Sequence, residues 1–349
     1  MFKKSVVILV VFLFLAYTMR GRSPSGSGAE TNQKYIVSAI GFDNIDNSIK
    51  VSLETLIVNS ETENDQQEVQ ILSGSGVTVD AALEEVGKSL AKPLLLSHCG
   101  ILVFGETLMP EQIDEICDYC FQKNEITLSV YVVSTKDSVE LLNCKPLSSV
   151  AVGYDVIGLI EEQSNRTGLN YKNRYYEVEA GRERVENIFT AAIIKVEQEK
   201  FKIDGTNIYV DDRSAAVIDN HQSIIYSMVT GTFSKGYVEV DGVKHRISSS
   251  KAKYKFGTKE KPSITVDIHL DSDTIDEKNF ETLQNRIKEL NNLLKNQCDV
   301  DAFGFENIFY HEDENKWKEL EDNYEEYYKN CELKIRLSAG SREDGSADE

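Results

Sequence analysis

Between Tyr35 and Leu337 the apolar residues recur at two spacings, and the switches between them mark out elements. Tyr35–Ile40 and Ile49–Val58 read as strands, with Val51, Leu53 and Thr55 alternating with Ser52 and Glu54 and the Asp/Asn-rich stretch Asp43–Asn47 as the turn. Val79, Ala82, Leu83, Val86 and Leu90 share one helical face, opened by Thr78 as N-cap. Ile101–Phe104 predicts a short strand. A second helix starts at Pro110, with Ile113, Ile116, Cys117, Cys120 and Phe121 on its apolar side. Thr127–Val133 then predicts a β-branched strand. This order describes one α+β unit over 35–160.

Residues 161–186 are rich in Asn, Arg, Tyr and Glu and read as a long excursion inside a middle domain, 161–234. Strands are expected at Ile188–Val196, Phe201–Ile203 and Asn207–Val210, with Gly205 as a turn. Asp219 and Gln222 form a capping-box pattern ahead of Ile224, Ile225 and Met228. A C-terminal α+β domain, 235–340, opens with Tyr237–Val240 and Lys244–Ile247 around Asp241-Gly242, a hairpin signature. Tyr254–Phe256 and Ile264–Leu270 continue as strands. Phe280, Leu283, Ile287, Leu290 and Leu294 mark a long amphipathic helix. After a break at Asp299–Phe305, Trp317, Leu320, Tyr324 and Tyr327 line a second helix, and Leu333, Ile335 and Leu337 alternate as a last strand. Residues 341–349 form a polar tail.

Ahead of these elements, Lys3 and Lys4 precede an apolar run from Val6 to Ala16, the form of an export signal over 1–20. As a helix, Val6–Met19 reaches about 21 Å, short of the ~30 Å hydrocarbon core. A cleaved signal and an uncleaved short anchor both fit. Residues 21–34 are small and polar, the composition of a flexible tether.

The net charge of −20 counts against nucleic acid, and against bare anionic lipid as a partner of the globular part. Six cysteines in 349 residues are too few for a disulfide scaffold. Cys117-x-x-Cys120 shares an apolar helix face and has no second pair to complete a zinc set, so it reads as core. The acidic stretches near Asp43 and Asp271 lack the glycine and glutamate of a calcium loop. Phosphate-binding glycine loops, nucleophile elbows and HExxH arrangements are missing. No catalytic, cofactor or metal-ligating set is expected.

Four stretches carry a resemblance to the C subunits of bacterial spore germinant receptors, the Ger(x)C or GerAC-like lipoproteins. Ile40-Gly41-Phe42-Asp43 is similar to the family's first hairpin turn. Gly76–Leu90, Leu96-Ser97-His98 and Leu102-Val103-Phe104-Gly105-Glu106 resemble its next helix, histidine and hydrophobic-Gly-Glu segment. Asn207–Tyr226 resembles its middle segment, and Gln297–Phe305 (QCDVDAFGF) with Cys331–Leu337 its D-x-F-G-F element and closing strand. The resemblance implies an α+β fold of three small domains, with mixed or antiparallel sheets packed by helices. It also implies a non-enzymatic role in nutrient-triggered germination, beside integral-membrane A- and B-type subunits at the outer face of the spore inner membrane.

One departure stands out. The family carries a lipobox cysteine after its signal, whereas Ala16–Ser23 reads AYTMRGRS and the first cysteine is Cys99. Either the apolar run anchors the chain, or partners hold a released chain; a diverged paralogue or an altered start also fits. Gly41, Asp43, His98, Gly105, Glu106, Asp301 and Gly304 are expected to fix turns and domain geometry rather than touch ligand. The rival readings are an extracytoplasmic ligand-binding protein and a cell-wall hydrolase.

Overall fold

The computed structural model describes residues 35–58, 67–123, 125–169, 171, 173–184 and 187–340. The export signal or anchor (1–20), the tether (21–34) and the tail (341–349) lie outside the described residues.

The first hairpin joins β1 (Tyr35–Ile45) to β2 (Ser48–Val58) through Asp46 and Asn47, whose φ of 50° and 61° suits the left-handed tolerance of Asp and Asn. β3 (Gln67–Gly76) adds antiparallel to β2. On the other side of β1 lie three strands parallel to it: β5 (Ile101–Gly105), β6 (Tyr131–Thr135) and β7 (Ile188–Glu197). Every residue of β5 and β6 is buried. Strands covered on both faces need no polar alternation, which is why these runs are continuously apolar or small. β8 (Lys200–Val210) and β9 (Arg213–Ile218) complete the sheet antiparallel, and the two-residue β4 (Leu94–Leu95) pairs with β1. The order is β3-β2-β1-β5-β6-β7-β8-β9, nine strands in all with β4. The boundary expected at 160 falls inside a helix, and this one sheet runs on to residue 218.

Helices cover both faces. α1 (Val79–Gly87), α2 (Pro110–Lys123) and, further along, α5 (Tyr175–Arg182) pack on one side around Phe42, Phe104, Ile116 and Tyr209. α3 (Ser138–Leu142) and α4 (Val152–Thr167) pack on the other around Ile101, Val103, Val133 and Ile194. The stretch read as an excursion from 161 thus contains the end of α4 and all of α5. Gly205 is not a turn. It sits at φ +140° inside β8, where the register with β7 shifts, and a methyl there would overlap the Ile218 carbonyl. The turn falls instead at Gln198 and Glu199, with φ of 51° and 63°.

A third core builds the C-terminal part. α6 (Asn220–Val229) opens with the expected capping box, Asp219 with Gln222. The hairpin β10 (Gly236–Val240) with β11 (Val243–Ile247) turns at Asp241-Gly242. A separate sheet runs β12 (Ser249–Thr258), β13 (Lys261–Asp271), β14 (Glu332–Ala339), with β14 parallel to β13. α7 (Glu277–Cys298) lays Leu283, Ile287, Leu290 and Leu294 onto this core. The second expected helix is three short ones, α8 (Phe305–Glu312), α9 (Glu314–Leu320) and α10 (Tyr324–Lys329), with an aromatic cluster running through Phe309, Trp317 and Tyr324. The result is an α+β fold with several mixed or antiparallel sheets packed by helices.

Candidate functional site

Three of the motif residues meet at the carboxyl end of the central strands. Gly41 and Asp43 lie on β1, Gly105 ends β5, and Ser138 begins α3. Asp43 is buried, and it accepts hydrogen bonds from the Ser138 N–H (3.2 Å) and from the Ser138 hydroxyl. Both glycines are required by close approach. A methyl on Gly105 would overlap the Asp43 Oδ1, and one on Gly41 would overlap the Ser138 Oγ. Burial raises the Asp43 carboxyl above its ordinary range, while the two Ser138 bonds lower it. Glu106 is exposed and joins the cluster only through its backbone, whose N–H donates to the Thr135 carbonyl at 2.9 Å. His98 is not brought to this cluster. It is exposed on a 3-10 turn (Leu96–His98) just before β5, at the strand's opposite end.

Asp301 and Gly304 form a second group inside the C-terminal core. Asp301 is fully buried, and its Oδ2 accepts from the Glu306 N–H and the Tyr324 hydroxyl, each at 2.8 Å. Burial pushes its pKa up to about 6. Gly304, at φ +68°, turns the chain into α8, so that Phe303 stacks on Tyr226 and Phe305 enters the core. This group ties the D-x-F-G-F turn to α10 and α6.

A third buried carboxylate went unread in the sequence. Alternation puts Glu54 on the polar face of β2, yet it is fully buried, because α4 covers that face of the sheet. Its oxygens accept from Val152 N–H (2.6 Å), Gly153 N–H (2.8 Å) and Ser38 Oγ (2.7 Å). Ala151, at the N-cap of α4, supplies no side-chain bond, so β2 provides the cap from across the core.

Of the cavities, two between elements bear on function. The larger of these two, about 580 Å³, opens where α4, β8, α6 and the β10–β11 hairpin meet. Its apolar wall includes Leu169, Tyr171, Ile203 and Ile224, and Arg166 and Lys244 stand at its rim. Tyr171 donates to Asn220 Oδ1 at 2.5 Å on its floor. The smaller, about 290 Å³, lies beside Gly304, Arg184 and Thr206. Asp43, Glu54 and Asp301 line neither cavity. All six cysteines are free and buried, and burial raises Cys117 and Cys120 above the ordinary thiol range. Among the described residues no cluster of His, Cys, Asp and Glu could hold a metal ion.

Two family models match the chain in tandem. Residues 27–182 match the spore germination protein N-terminal domain, and residues 204–343 match the spore germination B3/GerAC-like C-terminal domain. The chain belongs to the Ger(x)C family of germinant receptor C subunits. The crystal structure of the GerBC protein superposes with a TM-score of 0.56 at 14% identity, covering 87% of this chain and 96% of that one, which places both on one fold. No curated protein matches the sequence.

For a Ger(x)C protein the motifs therefore separate into two closed clasps and one exposed histidine. Ser138 and Glu54, which complete or parallel those clasps, carried no spacing signal toward Asp43 or α4. The local sequence marks only Asp137, the N-cap of α3, which accepts from the Glu140 N–H at 2.9 Å.

Proposed function

We propose that this C subunit acts without catalysis, as a scaffold that supports assembly of a germinant receptor at the outer face of a membrane. The observation that carries the reading is where the two buried motif carboxylates point. Both Asp43 oxygens and the Asp301 Oδ2 accept from donors of their own fold, the Asp301 Oδ1 is sealed in the core, and neither group lines a cavity. A general acid or nucleophile needs reach to a substrate atom; these groups face inward and hold strand to helix and turn to helix. By resemblance the partners are the integral-membrane A- and B-type subunits. Attachment through the N-terminal apolar run is part of the proposal. No helix among the described residues is long and apolar enough to cross a membrane.

The test is a strain lacking this chain, scored nutrient by nutrient for germination, with the amount of the A-type subunit measured in the same spores. The scaffold reading expects germination to fail for one class of nutrient together with loss of the A-type subunit. Normal germination on every nutrient overturns it. A second reading, direct binding of a small nutrient, is favoured by the larger cavity, whose volume and mainly apolar wall suit a small organic ligand. Calorimetry of the purified chain against a nutrient panel separates the two.

A further inference from the structure

Against the chain's acidic balance, one sheet face carries more cations than carboxylates. β12, β13 and β14 bury Ile264, Val266, Ile268 and Leu270 of their inner side in the C-terminal core. Strand side chains alternate, so the residues between these point outward. Pairing sets them in rungs: Lys251 beside His269 and Ser338, Lys253 beside Asp267 and Arg336, Lys255 beside Thr265 and Lys334. The five cations of these rungs are all exposed. Three carboxylates share the face: Asp267, 2.9 Å from Lys255 and 3.7 Å from Arg336; Glu332, 3.1 Å from Lys334; and the half-buried Asp271, beside Ser249 at the end of β13. Five positive groups against three negative ones leave an excess of two, on a chain whose sum is −20.

We propose that this outer sheet face docks on the anionic headgroups of a phospholipid surface. The net charge argues against such a partner only as an average. At physiological salt, charges beyond about 8 Å are screened, so a contacting surface meets the patch rather than the sum. The make-up of the face selects the partner. The rungs add only Thr265, His269 and Ser338 to the charged groups, so the aromatic or aliphatic anchors that dominate protein–protein binding energy are missing. Four of the five cations are lysines, hydrated point charges on flexible stems that suit a diffuse layer of phosphates better than a fixed bidentate site. Their array is closely spaced, with about 6.7 Å between alternate residues of a strand and about 4.8 Å between strands. The inference stands apart from receptor assembly, since it concerns contact of the folded part with lipid whatever else holds the chain.

The test uses the full chain with a fluorophore on Ser338→Cys, since all six native thiols are buried. Vesicles of phosphatidylcholine, with and without phosphatidylglycerol, carry a spin-labelled headgroup as quencher. A second label at Glu84→Cys on α1, which packs beside the opposite edge strand β3, is the control. We expect quenching at position 338 only with phosphatidylglycerol, reversed by raised salt, and none at position 84. Replacing Lys251, Lys253 and Lys255 together by Gln requires roughly a hundredfold more lipid for the same quenching. Asp267→Asn, which removes the central carboxylate, requires about fivefold less. A chain held only by its N-terminal run leaves position 338 bright, or quenches it equally in phosphatidylcholine. Either result, or lysine and Asp267 variants that bind as the parent does, overturns the proposal; capture of an acidic protein by a face that ignores lipid does so as well.

Discussion

At the scale of single residues, this protein uses buried carboxylates as fasteners. Asp43 reaches Ser138 only because Gly105 has no side chain. Gly105→Ala is therefore expected to cost about 3 kcal/mol, from overpacking and from displacing a buried carboxylate off its donors, read as a lowered urea midpoint at unchanged slope. Asp301 makes a different prediction. Its folded pKa, about 6, lies above the ordinary 3.8, so between those values the native state holds the proton more tightly than the unfolded state. The group then destabilises the fold at neutral pH, and this cost, of order 2–3 kcal/mol, fades as pH falls through 6 toward 4. Thermal melts at about pH 7 and pH 5 test it. Asp301→Asn keeps an acceptor for Glu306 and Tyr324, and its melting temperature should gain less than the parent's on acidification.

At the scale of elements, the caps and close approaches decide what the sequence could reveal. Turns with local signatures were legible: Asp219 with Gln222 opens α6, and Asp241-Gly242 turns the β10–β11 hairpin. The helices α4 and α5 were not, because α4 is capped by Glu54 from a strand 98 residues away in sequence and α5 lies in a run of mixed polarity. Long-range caps leave no spacing to read. Glu54→Ala should leave two helical N–H groups without their acceptor, while Ser38 keeps the carbonyl of residue 54, costing about 2–4 kcal/mol, and hydrogen exchange should rise first in the opening turn of α4. Gly168 and Gly236 show a related limit. Gly168 ends α4 at φ +79°, Gly236 opens β10 at φ +147°, and a methyl on either would overlap the other segment's backbone carbonyl. Each glycine is readable alone as a break, but their mutual contact, which welds the hairpin to α4, appears only in three dimensions. Gly236→Ala is expected to loosen the hairpin, with faster amide exchange in β10 and β11 than in β5.

At the scale of the whole molecule, the order of elements was legible and their joining was not. Alternation located most strands, and the fold class follows from them. A single nine-stranded sheet reaching from 35 to 218 depends on β6 pairing with β7 across more than 50 residues of helix and loop, for which the chain carries no local mark. The candidate residues behaved similarly. The sequence predicts that Gly41, Asp43 and Gly105 fix turns, whereas Gly41 and Asp43 lie inside β1 and Gly105 ends β5; the structure brings these three to one point, Asp301 and Gly304 make a second, and His98 belongs to neither. The motif residues thus hold strand to helix and turn to helix, as the proposed scaffold requires.

The most direct measurement is germination per unit of folded protein in spores carrying Asp43→Ala or Ser138→Ala. If these residues act only by holding the fold, germination and the amount of C subunit should fall in proportion, and a compensating stabilised background should restore both. Germination lost while the amount and melting behaviour of the protein stay at the parent's level would contradict the account.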